Sequence, residues 1–204
     1  MVLPGRPCFA ADQPRLPTGE SLSVSTSDAA VVSLLVSVDH DGALARRDGV
    51  HYRRPAEIDR IARLTRSRAV IVGRRTFSAL SMIPPDRWFL VVTGDEDLLA
   101  EGGVRYLSGF GHWFMPTFGE ALASARSLSR RASAPELFVL GGPRLLAEAL
   151  SLATRLYRMP ADAPAVTGAP ELPSATTHGW RQVFREGGTR AETLEIIERA
   201  SSQR

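Results

Sequence analysis

The feature that most constrains the fold of this chain is an apolar run that ends in glycine and two arginines, between Ala69 and Phe77. Its first four residues are short and apolar enough to form a buried strand. Gly73 then lets a ligand approach the backbone closely, and Arg74, Arg75 and Thr76 stand where a helix would begin. Because the free N–H groups at a helix start attract negative charge, this junction predicts an anion-binding site.

A second junction of the same kind lies between Leu137 and Arg144. Here an apolar run ends in Gly141 and Gly142, and Pro143 suits the first turn of the helix that follows. Two strand-to-helix turns of this kind in one chain indicate a long ligand with several negative charges, such as a dinucleotide.

Strands and helices alternate along most of the sequence. This order predicts a three-layer α/β domain with a mainly parallel central sheet, formed by residues 29–204 as a single domain. The last two strands, 180–185 and 193–199, are expected to add an antiparallel edge, and residues 1–28 are expected to be a disordered extension. The other predicted strands cover 30–38, 69–72, 88–93, 103–107, 137–140 and 154–159, and the predicted helices begin at Pro55, Arg74, Thr117 and Pro143.

Composition excludes several classes of function. The formal net charge is +3 and the pI is about 9.7, but the chain has no lysine and its arginines are scattered, so no nucleic-acid partner is expected. The single cysteine, Cys8, gives no disulfide framework, and the four histidines lack metal-ligand spacing, so no metal site is expected. Since no apolar run reaches membrane-spanning length and the N-terminus lacks the apolar core of a signal peptide, we expect a cytoplasmic location without a membrane partner.

Glu57 lies in the first turn of the helix predicted from Pro55 to about Thr65, at helical spacing from Ile61 and Leu64. A glutamate at this position can simply complement the helix dipole. It can also be an acid that faces a pocket and protonates or hydrogen-bonds a substrate nitrogen, in which case apolar surroundings would raise its pKa. Both interpretations stay open from these residues alone.

Taken together, the order and spacing of these segments resemble the dihydrofolate reductase family. The resemblance runs from about Val31 to Val92 and resumes from about Leu137 to Tyr157. The matching segments are the helix start 54–58 (Arg-Pro-Ala-Glu-Ile), the turn 70–77 (Val-Ile-Val-Gly-Arg-Arg-Thr-Phe), the loop 84–87 (Pro-Pro-Asp-Arg) and the double-glycine turn 138–142 (Phe-Val-Leu-Gly-Gly).

The resemblance implies a reductase that transfers a hydride from NADPH to a C=N bond, with dihydrofolate or another pterin as the leading small-molecule substrate. Glu57 would be the catalytic acid, and Arg87 would hold a substrate carboxylate. The cofactor would contact Gly73, Arg74, Arg75, Thr76, Thr93, Gly141, Gly142 and Arg144. The substrate would contact Val36, Ser37, Ile61, Leu80, Arg87 and Leu140. The expected assembly is a monomer or a homodimer.

Several positions depart from the family pattern, chiefly on the substrate side. Met159 stands where the family has a threonine that bonds the acid, and the stretch 168–170 (Gly-Ala-Pro) replaces Gly-Asp-Thr. The segment from Gly109 to Met115 resembles an insertion. The turns that would bind phosphate are intact, so the resemblance is more specific for the cofactor than for the substrate.

Three alternatives stay open. The segments 37–45 and 141–146 also resemble the pyrimidine reductases of riboflavin synthesis, which share the fold and the use of NADPH. A reductase that acts on a natural-product imine is equally compatible with the altered pocket, and a non-catalytic protein that binds NADPH or a pterin is the third alternative. Glu57 favours the folate branch over the pyrimidine reductases, and an enzyme over a pure binding protein.

Overall fold

The computed structural model describes residues 30–45, 55–80, 86–105, 109–161, 163–187 and 193–200 of the 204-residue chain, without the side chains of residues 55 and 56. The predicted disordered extension, residues 1–28, lies outside these ranges. So do Pro84 and Pro85 of the loop that resembles the family's arginine loop.

The described residues form nine strands and five helices. Every predicted strand and helix is present, with small differences at the ends. The strands are β1 (Val31–Val38), β2 (Ala69–Gly73), β3 (Trp88–Val92), β4 (Gly103–Arg105), β5 (Gly111–Met115), β6 (Glu136–Leu140), β7 (Arg155–Pro160), β8 (Trp180–Glu186) and β9 (Leu194–Arg199). The helices are α1 (Pro55–Thr65), α2 (Arg74–Ala79), α3 (Glu96–Glu101), α4 (Phe118–Arg131) and α5 (Pro143–Leu150).

The strands form one sheet in the order β4-β5-β3-β2-β6-β1-β7-β9-β8. Neighbouring strands from β5 to β7 in this order run parallel, whereas β4 pairs with β5, β9 with β7 and β8 with β9 in antiparallel fashion. The prediction of a mainly parallel sheet with antiparallel C-terminal strands is therefore confirmed. In a sheet of this kind, the carboxyl ends of the parallel strands meet at one edge and form the usual ligand crevice.

Each face of the sheet carries a separate apolar core. One core, which we call the α4/α5 core, contains Val36 of β1 together with Leu122 of α4 and Leu146 of α5. The other, the α1 core, contains Leu35 of β1 and Ile61 of α1. Because side chains alternate along a strand, neighbouring residues of β1 belong to opposite layers.

The interpretation of Gly109–Met115 as an insertion is wrong, because most of it is β5, the second strand from one edge of the sheet. This strand pairs in parallel with β3 over its whole length, from Trp88 opposite Gly111 to Val92 opposite Met115. Trp113 and Met115 point into the α4/α5 core and are at most 7% exposed. The segment therefore belongs to the framework of the sheet.

Local sequence explains how α4 begins. Thr117 is its N-cap, and the Thr117 hydroxyl accepts a hydrogen bond from the backbone N–H of Glu120 at 3.2 Å. The same hydroxyl donates to the Glu120 carboxylate at 3.1 Å. This confirms the capping interaction that the sequence spacing predicts.

A polar network ties strands together at the amino ends of β1, β6 and β7. The Glu136 carboxylate accepts hydrogen bonds from Arg155 and from the Tyr157 hydroxyl, each at 3.0 Å, and also from the Ser33 hydroxyl. Arg155 also donates to Glu198 of β9 at 2.8 Å. Burial, together with the charge of Glu136, raises the pKa of Tyr157 to about 12, so the phenol stays protonated and can donate. This network lies at the opposite end of the strands from the crevice at their carboxyl ends.

Candidate functional site

A cleft of about 750 Å³ opens at the carboxyl edge of the parallel strands. Its walls come from the β2–α2 and β6–α5 junctions, from the ends of β3 and β5, and from residues 166 and 167 after β7. The cleft is lined by these predicted cofactor residues: Gly73, Arg74, Arg75, Thr76, Thr93, Gly142 and Arg144. Residues far apart in sequence thus meet on one surface.

Gly73 and Gly142 are the N-caps of the two helices that begin at the cleft. Both have extended backbones, and neither α2 nor α5 receives a side-chain cap hydrogen bond. The first N–H groups of each helix are therefore available to an acceptor on a ligand. Two such starts on one cleft favour a ligand with more than one anionic group.

Gly141 is the one predicted cofactor residue that does not line the cleft. Its position is tightly packed, since a Cβ atom placed on Gly141 would lie 2.7 Å from Cδ2 of Leu145, which belongs to the α4/α5 core. At Gly73, by contrast, an added Cβ would meet nothing within 4 Å. Gly141 thus leaves room for the Leu145 side chain of α5, whereas Gly73 leaves room beside the cleft.

The arginines of the cleft differ in their neighbours. Arg74 lies 3.7 Å from the Asp95 carboxylate, and Arg144 lies 4.0 Å from Glu148 one turn further along α5. Arg75 is exposed and forms no ion pair with the residues that the structure describes. Its guanidinium is therefore the most readily available to a phosphate.

The acid predicted from sequence lies on the α1 core side of the sheet. Glu57 is only 5% exposed, and Ile61, one turn later on the same helix face, is fully buried. Leu80 and Leu140 belong to the same core. The structure therefore brings Glu57, Ile61, Leu80 and Leu140 to one side of the sheet, as the predicted substrate slot requires.

Val36 and Ser37 fall on opposite faces. Ser37 shares the face of Leu35, whereas the Val36 side chain is buried in the α4/α5 core. Adjacent residues of a strand point to opposite faces, so the Val36 side chain lies away from Glu57, and contact of Val36 with the substrate stays a prediction.

Arg87 is fully buried just before β3. Its guanidinium donates to the carbonyl of Ala62 at 3.2 Å and also contacts the Thr65 hydroxyl and the Asp86 carboxylate. Burial lowers the pKa of Arg87, and the hydrogen bond and charge of Asp86 oppose that change. These contacts fix α1 to the start of β3, and the carboxylate-binding role of Arg87 stays a prediction.

Sequence reasoning missed part of the cleft. Asp95, which pairs with Arg74, also accepts a hydrogen bond from the N–H of Leu98 at 3.3 Å and so caps α3. Thr93 orients this loop, because its hydroxyl accepts from the Asp95 N–H at 3.1 Å. An aspartate followed by two acids after a strand is a typical helix start and could have indicated α3. Pro116 and Val166 join the cleft only through the tertiary fold.

A second cavity, of about 510 Å³, lies beside the loop after β1. One potential metal-ligand atom from each of Asp39, His40 and Asp41 lies there, and the three atoms are within 4.8 Å of one another. The Asp39 carboxylate already accepts the backbone N–H groups of Asp41 and Ala43, each at 2.9 Å. A local turn therefore accounts for this cluster.

The fold and the cleft define a class of protein: a three-layer α/β protein with an open crevice at the carboxyl edge of its sheet and a buried acid on the α1 core side. Comparisons with known proteins identify the family. The family model for dihydrofolate reductase matches residues 31–199. None of the helices among the described residues is long and apolar enough to cross a membrane.

Individual relatives agree with this match. The chain is 27% identical over 155 residues to dihydrofolate reductase type 3 of Salmonella typhimurium, covering 76% of this chain and 86% of that protein. It is 30% identical over 128 residues to the dihydrofolate reductase of Mycobacterium leprae (strain TN), covering 61% and 68%. The structure of Enterococcus faecalis dihydrofolate reductase complexed with NADP(H) and RAB-propyl has a TM-score of 0.56 at 19% identity, covering 83% of this chain and 96% of that one.

The chain therefore belongs to the dihydrofolate reductase family, and it has the fold of that family. This confirms the family and the fold expected from the sequence. The family consists of NADPH-dependent oxidoreductases that act on a CH–NH bond, so the class of enzyme and the cofactor expected from the motifs are confirmed as well.

Proposed function

We propose that this protein reduces the C=N bond of dihydrofolate, or of a closely related dihydropterin, with NADPH. The observation that carries the proposal is the placement of the predicted residues. Seven of the eight residues predicted to bind the cofactor line one cleft at the carboxyl edge of the sheet, and the predicted acid, Glu57, is buried on the α1 core side. A hydride donor and a proton donor can then act on the same substrate from neighbouring positions.

The residues of the cleft suit NADPH. The helix starts at Gly73 and Gly142 would bind its phosphate groups through backbone N–H groups. Arg75 would contact the 2′-phosphate, with Arg74 held nearby by Asp95. When bound, NADPH supplies the hydride, while this chain orients both reactants and excludes water.

Glu57 would hold the substrate ring and help to supply the proton. Its position among Ile61, Leu80 and Leu140 keeps the carboxyl group out of bulk water. The protonated carboxyl group is the form that would donate. The carboxyl group would hydrogen-bond a ring nitrogen of the substrate and so fix which face of the ring meets the cofactor.

One observation supports a second candidate, a reductase for a different heterocycle. Met159 is 2% exposed and lies in the α1 core, where the family resemblance would place a threonine that bonds the acid. An apolar side chain there changes the polarity of the slot. A pyrimidine of riboflavin synthesis or a natural-product imine is therefore the alternative substrate.

The direct experiment is to follow the loss of NADPH absorbance with the purified full-length protein, with and without 7,8-dihydrofolate. We expect oxidation that depends on dihydrofolate and stops when an antifolate is added. Tight NADPH binding without dihydrofolate-dependent oxidation would contradict dihydrofolate as the substrate and favour the other heterocycles. Oxidation that an antifolate leaves unchanged would place the reaction outside the proposed slot.

A further inference from the structure

The cavity of about 510 Å³ beside the loop after β1 is a polar space that the proposed reaction does not use. One wall is formed by residues 38–42, and the other by residues of β7, β8 and β9. Among the described residues, it has no lining residue in common with the cofactor cleft. Its walls carry carboxylates as well as guanidinium groups, so the groups that lack partners decide which ligand it can bind.

A row of three charged side chains crosses the strands at this cavity. Glu195 of β9 lies opposite Arg158 of β7 on one side and opposite Arg185 of β8 on the other. The row faces the α4/α5 core side, because Leu156 and Ile197, two residues further along β7 and β9, belong to that core. With two cations and one anion, the row has one positive charge in excess.

Arg158 is held rigidly at the cavity. The residue is 8% exposed, and its guanidinium donates to the Glu195 carboxylate at 2.8 Å and to the Gly42 carbonyl at 3.4 Å. Gly42 has a φ of +85°, and a Cβ atom there would clash with the guanidinium. The Nε atom of Arg158 is buried and has no acceptor among the described residues. Because a buried donor without a partner costs free energy, this guanidinium favours a further acceptor.

Arg185 is the second cation of the row, and its charge is not neutralised. It lines the cavity, it is exposed, and it forms no ion pair within the part of the chain that the structure describes. Its strand partner Glu195 is already paired with Arg158. An arginine offers five N–H donors, so Arg185 can bind an oxygen ligand without giving up another contact.

The carboxylates of the facing wall are already engaged. Asp39 accepts the backbone N–H groups of Asp41 and Ala43, each at 2.9 Å. The Asp41 carboxylate lies 2.9 Å from the imidazole of its neighbour His40. The groups left without partners are therefore guanidinium donors, which attract an anion and repel a metal cation.

We propose that this cavity binds a small oxyanion, a carboxylate or a phosphate, between the guanidinium groups of Arg158 and Arg185. Guanidinium groups present paired N–H donors that match the oxygens of either group. The volume is large enough for a small organic acid or phosphate ester. This second site uses none of the residues assigned to the cofactor or the substrate, so it does not depend on the proposed function.

The test is calorimetric titration of the full-length protein, saturated with NADPH, with inorganic phosphate and separately with succinate at constant ionic strength. Bound NADPH occupies the phosphate-binding part of the cofactor cleft, so that cleft does not contribute. We expect saturable binding, and we expect Arg185→Gln to raise the Kd by about 10-fold or more, the effect of a lost charge-assisted hydrogen bond. Arg185→Lys should raise it less, since the charge remains. The probe with the lower Kd identifies the preferred group.

Arg181→Gln is the matched control. Arg181 is an exposed arginine of the same strand, but it lies opposite Glu198 and outside the cavity, so its loss should leave the Kd unchanged. The proposal is overturned if neither probe binds the NADPH-saturated protein, if Arg185→Gln binds as the wild type does, or if both variants lose affinity equally. Displacement of NADPH by the probe would also overturn it. A wild-type protein that binds a probe but reduces no dihydropterin contradicts only the proposed function.

Discussion

At the scale of single residues, the charges of the site are divided between a buried acid and exposed arginines. Glu57 is 5% exposed, whereas Arg74, Arg75 and Arg144 lie on the open surface of the cleft. This division matches the two tasks of the proposed reaction. A proton is delivered best from a dry position, and a phosphate is held best by several donors at the rim.

Glu57→Gln keeps the shape of the side chain and removes its ability to give up a proton. We expect the rate of NADPH oxidation with dihydrofolate to fall by about 100-fold or more, since general acid catalysis typically contributes a factor of this size. The Kd for NADPH should not change. Stopped-flow and equilibrium fluorescence would measure the two quantities, with the exposed Asp59→Asn on the same helix as the matched control. Turnover that survives in Glu57→Gln would show that another group is the acid.

Arg75→Ala should discriminate between NADPH and NADH. Because Arg75 has no ion pair among the described residues, its guanidinium would give a phosphate a charge-assisted hydrogen bond, and its loss should raise the Kd for NADPH by about 10-fold. The Kd for NADH should stay the same. Arg74→Ala should have a smaller effect, since Asp95 already lies 3.7 Å from Arg74.

The control for these arginine variants is Arg130→Ala, at the exposed end of α4 and outside the cleft. Titration of nicotinamide fluorescence gives each Kd directly. Equal losses of NADPH and NADH affinity in Arg75→Ala would be incompatible with a 2′-phosphate contact.

At the scale of elements, the two strand-to-helix junctions look alike in sequence but differ in packing. Gly141 is held against Leu145 of α5, and Gly73 has open space where a side chain would begin. Gly141 therefore allows close packing in the core, and Gly73 leaves the cleft accessible. Alanine substitutions separate these two uses of glycine.

Gly141→Ala would place a methyl group 2.7 Å from Cδ2 of the buried Leu145. We expect it to lower the free energy of unfolding by about 1–3 kcal/mol, as overpacking of a core does. Gly73→Ala should leave that free energy unchanged, because the backbone of Gly73 has an ordinary extended conformation, but it should weaken NADPH binding. Urea denaturation and NADPH titration of both variants test this. A stability loss in Gly73→Ala with none in Gly141→Ala would reverse the assignment.

Local patterns predicted most elements and much of the cleft, because a strand, a glycine and a helix start are all encoded within a few neighbouring residues. The strand β5 was misinterpreted, since Gly111–Met115 contains no β-branched residue and its identity depends on pairing with β3. The partners of Arg87 are likewise tertiary, as two of them belong to α1. The placement of the Val36 and Ser37 side chains on opposite faces, by contrast, follows from strand alternation alone.

At the scale of the whole molecule, the burial of His112 in β5 makes the free energy of unfolding depend on pH. This half-buried residue packs against the rings of Phe77 and Phe114, with centroid separations of 5.1 and 5.4 Å. Burial lowers the pKa of His112, and the negative charge of Glu101 opposes this only in part. The unfolded chain, where a histidine has a pKa of about 6.5, therefore binds a proton more readily than the folded protein.

This difference predicts how stability depends on pH. Because the unfolded state takes up the extra proton, the free energy of unfolding should fall as the pH drops below about 6.5, and the loss should level off below the pKa of the folded protein. His112→Gln should make the decrease between pH 7 and pH 5 smaller. Urea denaturation at several pH values measures the free energy of unfolding, and His178→Gln, at an exposed histidine, is the control. An equally steep decrease in His112→Gln would show that other groups cause it.

The central place of β1 in the sheet also has a consequence for biosynthesis. Ser33 of β1 and its partner Glu136 in β6 are 103 residues apart, and the other neighbour of β1, β7, comes later still. Among the described strands, the one that leaves the ribosome first thus has no neighbouring strand until most of the chain has been made. Contacts of such long range slow folding. During that interval the apolar β1 is exposed to other nascent chains, so this protein is expected to depend on chaperones that hold its N-terminal segment.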